Sequence, residues 1–216
     1  MRNFIYKYYQ LNIWLICLVL IMIYIVSLLY EFTYLFTDEF YFKVLPNIDT
    51  KEIAEFIIKD REQNWINFLL IPIIILLPAF LISLPIFIGT IFENIKVKYR
   101  DVFSFTLKSQ IVFAVNYFVT VILKSLGVVE CNMQTVNNNY YYQSARIFFK
   151  DSEIPYWAIY PLQYINIAEI LYFIFLTLGV KQMLGYNTKE GIKFMLSYYC
   201  LGVFLWILFV VFLLSI

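Results

Sequence analysis

Histidine is absent from this 216-residue chain. That removes histidine metal sites, serine–histidine and cysteine–histidine nucleophile systems, and the commonest proton shuttle. Cysteine is scarce: Cys17, Cys131 and Cys200 are scattered, which gives no disulfide framework and no CxxC metal or redox pattern. Charge is scarce too. Charged residues make up 14% of the chain, against ~25% in an average soluble domain. With a formal net charge of +1, there is no basic surface for nucleic acid. Walker A, GxSxG and HExxH patterns are all missing, and no pair of carboxylates sits beside a cationic cluster. The residues call for no cofactor, no metal and no catalytic set, so we expect a protein that is not an enzyme.

What the chain has instead is apolar length. Hydrophobic residues make up 62% of it, more than a water-soluble protein of this size can hide. Five apolar stretches, at about 11–30, 66–90, 110–126, 158–180 and 195–216, are long enough to cross a bilayer. The first and last contain no charged side chain. A run of about 18 or more such residues matches the ~30 Å hydrocarbon layer at 1.5 Å per helical residue. The expected fold is therefore all-α: one integral membrane domain over residues 1–216, a bundle of five transmembrane helices. The first stretch follows Arg2 and Lys7 like a signal sequence. It is longer than an h-region and no small-x-small cleavage site follows, so it reads as an uncleaved first span.

The second span carries Pro72, Pro78 and Pro85, spaced six and seven apart. Each removes a backbone donor and crowds the preceding turn. This span is expected to be kinked, or split so that the count becomes six. Such breaks persist in bilayers where protein or water satisfies the freed carbonyls.

The loops orient the bundle. With the N-terminus in the cytoplasm, residues 1–10, 91–109 and 181–194 face inward with nine cations and three acids. The outer side holds seven cations, counting Lys124, and eleven acids. The inner cations lie in short loops near span ends, where the positive-inside bias acts. Trp65, Tyr156, Trp157 and Tyr160 fall at outer span entrances, and Tyr6, Tyr8 and Tyr9 precede the first span inside, as an interfacial belt. Residues 140–142, a tyrosine run after Asn137, Asn138 and Asn139, read as an interfacial loop.

In the first outer loop, Ile53, Phe56, Ile57 and Ile58 recur among Glu52, Glu55, Lys59, Asp60, Arg61 and Glu62. That spacing predicts an amphipathic helix over about 49–64, capped by Asp49 or Thr50. It would rest on headgroups or on the bundle, or present a surface to a partner.

Glu169 is the one acid placed deep in a span by this reading. Gln163, Asn166 and Glu169 follow at i, i+3, i+6, and Asn116, Thr120 and Lys124 at i, i+4, i+8. Each trio lies on one helix face. If spans three and four run antiparallel side by side, matched depth pairs Asn116 with Glu169, Thr120 with Asn166 and Lys124 with Gln163. Such a polar seam would serve as interhelical glue, or as a path for a proton or polar solute. A lone buried acid gives no acid–base pair for catalysis. Pro161 could break the start of the fourth span, as in transporters with discontinuous helices, or be only a first-turn residue, as prolines near helix starts more often are.

The stretch Tyr160-Pro-Leu-Gln-Tyr-Ile-Asn-Ile-Ala-Glu-Ile-Leu-Tyr172, followed by a short basic loop and a last apolar span, resembles small bacterial membrane proteins of the Yip1-like type. The segment Tyr99-Arg-Asp-Val-Phe, leading into Leu107-Lys-Ser-Gln-Ile-Val-Phe113, resembles the loop and third-span entry of such proteins. The resemblance covers roughly residues 95–216. It implies five or six helices, a bacterial cytoplasmic membrane and no catalytic residue to carry over; eukaryotic proteins of this type act in membrane traffic through partners, while the bacterial ones have no settled role and some carry a permease label. From the residues and the resemblance together, the expected function is a scaffold or subunit of a membrane complex, with the lipid bilayer and other membrane proteins as partners. A small permease using the polar seam is the alternative.

Overall fold

A computed structural model describes residues 7–46, 48–132, 135–136, 141–150 and 154–215. The expectations for Arg2, Tyr6, Asn137, Asn138, Asn139 and Tyr140 lie outside these residues. The described chain is all-α, with no strand among the described residues and ten α-helices described end to end. These are α1 (Ile13–Tyr34), α2 (Asp38–Val44), α3 (Thr50–Gln63), α4 (Trp65–Phe92), α5 (Tyr99–Ser109), α6 (Ile111–Ser125), α7 (Tyr156–Tyr164), α8 (Ile167–Leu184), α9 (Thr188–Met195) and α10 (Leu201–Ser215). Five segments are long and apolar enough to cross a membrane: Ile13–Tyr34, Trp65–Phe92, Tyr99–Ser125, Ile167–Leu184 and Thr188–Ser215. The chain is a polytopic integral membrane protein.

Span one, α1, starts on Asn12, whose side chain caps Trp14, and runs through Glu31. Span two, α4, is a single helix of 28 residues with Pro72, Pro78 and Pro85 inside it, so the split that would give six spans does not occur. Freed carbonyls in a bilayer are tolerated when the helix is packed on protein, and α4 packs on α1, α5 and span five.

Span three corrects the sequence reading most. Residues 99–109, read as loop, are helical and join α6 with only a slight break at Gln110. At 27 residues it is the most buried of the five, lying against spans one, two and four. Lys108, placed in the cytoplasmic loop by sequence, is buried, and its ammonium donates to the Tyr9 carbonyl at 2.7 Å. In return Tyr8 donates to the Lys108 carbonyl at 2.6 Å, and Tyr9 donates to the Phe175 carbonyl at 2.7 Å. Tyr9 is thus a buried strut between spans rather than a belt residue. Trp65, Tyr156 and Trp157 do stand exposed at helix starts.

The fourth apolar stretch of the sequence, 158–180, is broken, and the span itself is α8. α7 ends at Tyr164 and α8 begins at Ile167, with Ile165 non-helical and Asn166 extended between them. The break is satisfied locally. The Ala145 N–H donates to the Ile165 carbonyl at 2.8 Å, and Ser144 bridges to Asn166. Gly185, at φ 71°, closes α8 in the left-handed conformation that only glycine takes without strain. Span five begins earlier than read, at a full capping box between Asn187 and Glu190. A π-helical turn over residues 196–200 separates α9 from α10.

Two apolar cores hold the bundle. One gathers Val102, Phe105, Tyr172, Leu176, Phe194, Met195 and Tyr199 from spans three, four and five, and the other joins Ile16, Leu20, Ile71, Ile75, Ala79, Leu107 and Ala114 from spans one to three. Helix α3 forms where expected, with Asp49 at its cap position but no side-chain cap bond. Ile53 and Ile57 pack on Tyr41 of α2, whose hydroxyl donates to Asp60 at 2.7 Å. Arg61 pairs with Asp38 at 2.5 Å on the exposed rim.

Candidate functional site

The six polar residues assigned to one seam fall into separate sites, with other partners or, for the Asn116 amide nitrogen, none among the described residues. Glu169 lies in the first turn of α8, not midway along a span. Its carboxylate accepts from the Tyr199 hydroxyl at 3.1 Å, and Tyr164 lies beside the same group. Asn166 is the N-cap of α8. Its side-chain oxygen accepts from the Glu169 N–H at 2.8 Å, and its amide donates to the carbonyls of Gln163 at 3.0 Å and Tyr164 at 3.3 Å. Gln163 belongs to α7, so the i, i+3, i+6 face is interrupted between it and Glu169.

On α6, the Thr120 hydroxyl donates to the Asn116 carbonyl at 2.7 Å and meets Tyr142 at 2.8 Å. The Lys124 ammonium donates to the Thr135 carbonyl at 2.7 Å. The Asn116 amide nitrogen is buried without a hydrogen-bond partner among the described residues. The physical reason for the correction is the break at 165–166. Matched-depth pairing holds only for two uninterrupted helices.

Asn116 lines a cavity of 360 Å³ with Glu31, Tyr117, Asn67, Tyr24, Phe32 and Phe36. Glu31, assigned to the outer loop by sequence, is buried in the last turns of α1. It takes a short hydrogen bond from the Tyr117 hydroxyl. The Tyr117 ring stacks on Tyr24 at 5.7 Å between centroids. Lys124 is near enough to act on Glu31 electrostatically. Sequence reasoning missed this acid because the apolar run was ended at Tyr30, one residue too early.

A second cavity, of 560 Å³, runs between spans two and five. Four departures from regular helix meet there. α4 contributes Pro78 and Pro85, the broken fourth stretch contributes Tyr164 and Glu169, the π turn contributes Tyr199, and the break in span three contributes Gln110. Irregular backbone at membrane depth and π turns both concentrate at functional sites. Gln110 donates to the Tyr172 hydroxyl at 3.3 Å, and the Trp206 indole N–H donates to the Tyr160 hydroxyl at 2.8 Å. Pro72 does not line this cavity. Tyr24 and Ile74 line both cavities and form a common wall.

Spans two and five touch beside the larger cavity through two glycines. A Cβ on Gly202 would stand 2.8 Å from the Pro85 ring, and one on Gly89 would stand 2.5 Å from the Tyr198 ring. Small residues let membrane helices approach this closely.

Among the described residues no three histidine, cysteine, aspartate or glutamate side chains gather as a metal-ligand set. Compared with known proteins, the chain matches no family model, no curated protein and no solved structure.

Proposed function

We propose that this integral membrane protein works by association with other membrane proteins, as a scaffold or subunit of a complex, and not by catalysis. The observation that carries this reading is the outer helix α3. It spends Ile53 and Ile57 on packing against α2, yet still exposes Phe56 and Ile58, 50% and 60% accessible, outside the five spans. Exposed Glu52, Glu55, Lys59 and Glu62 surround them. An apolar centre with a charged rim is the anatomy of a transient protein interface. On the same reading the N-terminus is cytoplasmic, α3 lies on the outer face, and the membrane is the bacterial cytoplasmic membrane.

A photo-crosslinking residue at Phe56, activated in native membranes, is expected to give a discrete protein adduct. The same residue at Phe204, on lipid-facing α10, serves as the comparison. Adducts to lipid alone at both positions would contradict the reading.

The common wall of Tyr24 and Ile74 between two polar-ended cavities favours a second reading, a small permease whose path runs through the cavities. Liposome flux then exists and is abolished by Glu169→Gln without loss of the fold. No flux from the native chain rejects this reading.

A further inference from the structure

We propose that the cavity between spans two and five holds one chain of a neutral, hydroxyl-headed membrane lipid, with its hydroxyl on Glu169. Span two lines the cavity with Ile74, Pro78, Leu81, Pro85 and Ile88. Their spacing of four, three, four and three is a single stripe along one helix face. The stripe spans fifteen residues, or fourteen steps, about 21 Å at 1.5 Å per residue. One leaflet of a ~30 Å hydrocarbon core is about 15 Å deep, so a single lipid chain fits along it. The groove opens sideways to the bilayer, since Leu81 and Ile88 are 41% and 48% exposed. Its volume of 560 Å³ lies within the ~300–1,000 Å³ of small-molecule sites.

The polar groups specify the head. The groove is rich in acceptors. Pro78 and Pro85 have no N–H to give the carbonyls of Ile74 and Leu81, four residues earlier on the same stripe. The Glu169 carboxylate takes bonds from Tyr199 and Tyr164, while a carboxylate has about four acceptor positions. Glu169 is also the only charged residue that lines the groove among the described residues. A ligand matching this pattern donates hydrogen bonds and carries no anionic group. A hydroxyl meets both conditions without the cost of taking a charged amine to membrane depth.

The test uses the full-length protein in phosphatidylcholine vesicles, with a hexadecanol probe bearing a photoactivatable group on its chain. Saturable labelling is expected within residues 74–88 and 199–206. Unlabelled hexadecanol should compete about tenfold better than hexadecyl methyl ether, the difference of one donated hydrogen bond. Leu81→Trp, which fills the groove, should abolish the labelling, and Glu169→Gln should shrink the preference for the alcohol. Equal competition by the ether overturns the assignment of the head. Labelling that does not saturate, or that survives Leu81→Trp, overturns the groove. Should Glu169→Gln fail to fold, Leu81→Trp and the ether comparison still decide. None of these outcomes depends on whether Phe56 meets a partner protein.

Discussion

Leucine in place of Gly89 or Gly202 is expected to push span five off span two and to cost about 3 kcal/mol of stability, the upper range for overpacking a close contact. At Gly89 even a methyl group would overlap the root of the Tyr198 ring, with 2.5 Å to Cγ. The root of a ring cannot swing away as its tip can. At Gly202 the obstacle is the Pro85 ring, at 2.8 Å and 2.9 Å, which is rigid and sits on α4 itself. Gly191 provides the control. A Cβ there would make only ordinary contacts, the nearest at 3.5 Å to Thr177. Gly191→Ala should leave stability unchanged or raise it slightly, because alanine is the better helix former. Thermal unfolding in detergent reads all three variants. Unchanged midpoints for both leucine variants would mean that the two spans do not touch at these glycines.

Tyr117→Phe is expected to destabilise by about 2 kcal/mol, the cost of leaving a buried acceptor without its donor. The hydroxyl it removes donates to Glu31, a residue only 6% exposed at the wall of the smaller cavity. Glu31→Gln should cost less, since the amide oxygen still accepts. Once Glu31 is glutamine, Tyr117→Phe should lose much of its effect, because the two residues act as a pair. Additive losses in this cycle would show that Tyr117 stabilises the bundle by packing on Tyr24 alone.

Length and apolarity made most of the architecture legible. Spans one, two and five required only runs of apolar residues. The alternation of isoleucines and charges over 49–64 was enough for α3. The candidate site was less legible, because its geometry depends on where helices stop being regular. Helical spacing assumes an unbroken helix, and the fourth apolar stretch is broken at Ile165 and Asn166. The signal for that break was present. Asn166 and Glu169 have the same Asn-x-x-Glu spacing as Asn187 and Glu190, which form a capping box. Such a pattern marks a helix start rather than a polar face. The π turn at 196–200 left no comparable mark, since apart from Ser197 its residues are apolar or aromatic like their neighbours. Lys108 misled through its charge. A lysine reads as loop, but a long ammonium side chain can reach a backbone carbonyl inside the bundle.

The most direct test of the five-span bundle is the location of the two chain ends. Five crossings put the N-terminus and the C-terminus on opposite sides of the membrane, whichever side is cytoplasmic. Small epitope tags at each end, probed by protease in sealed right-side-out and inverted vesicles, separate the cases. The account predicts that one tag is cut in each vesicle type and never both in the same one. Cleavage of both tags in one type and neither in the other would mean an even number of crossings, and the fold described here would be wrong.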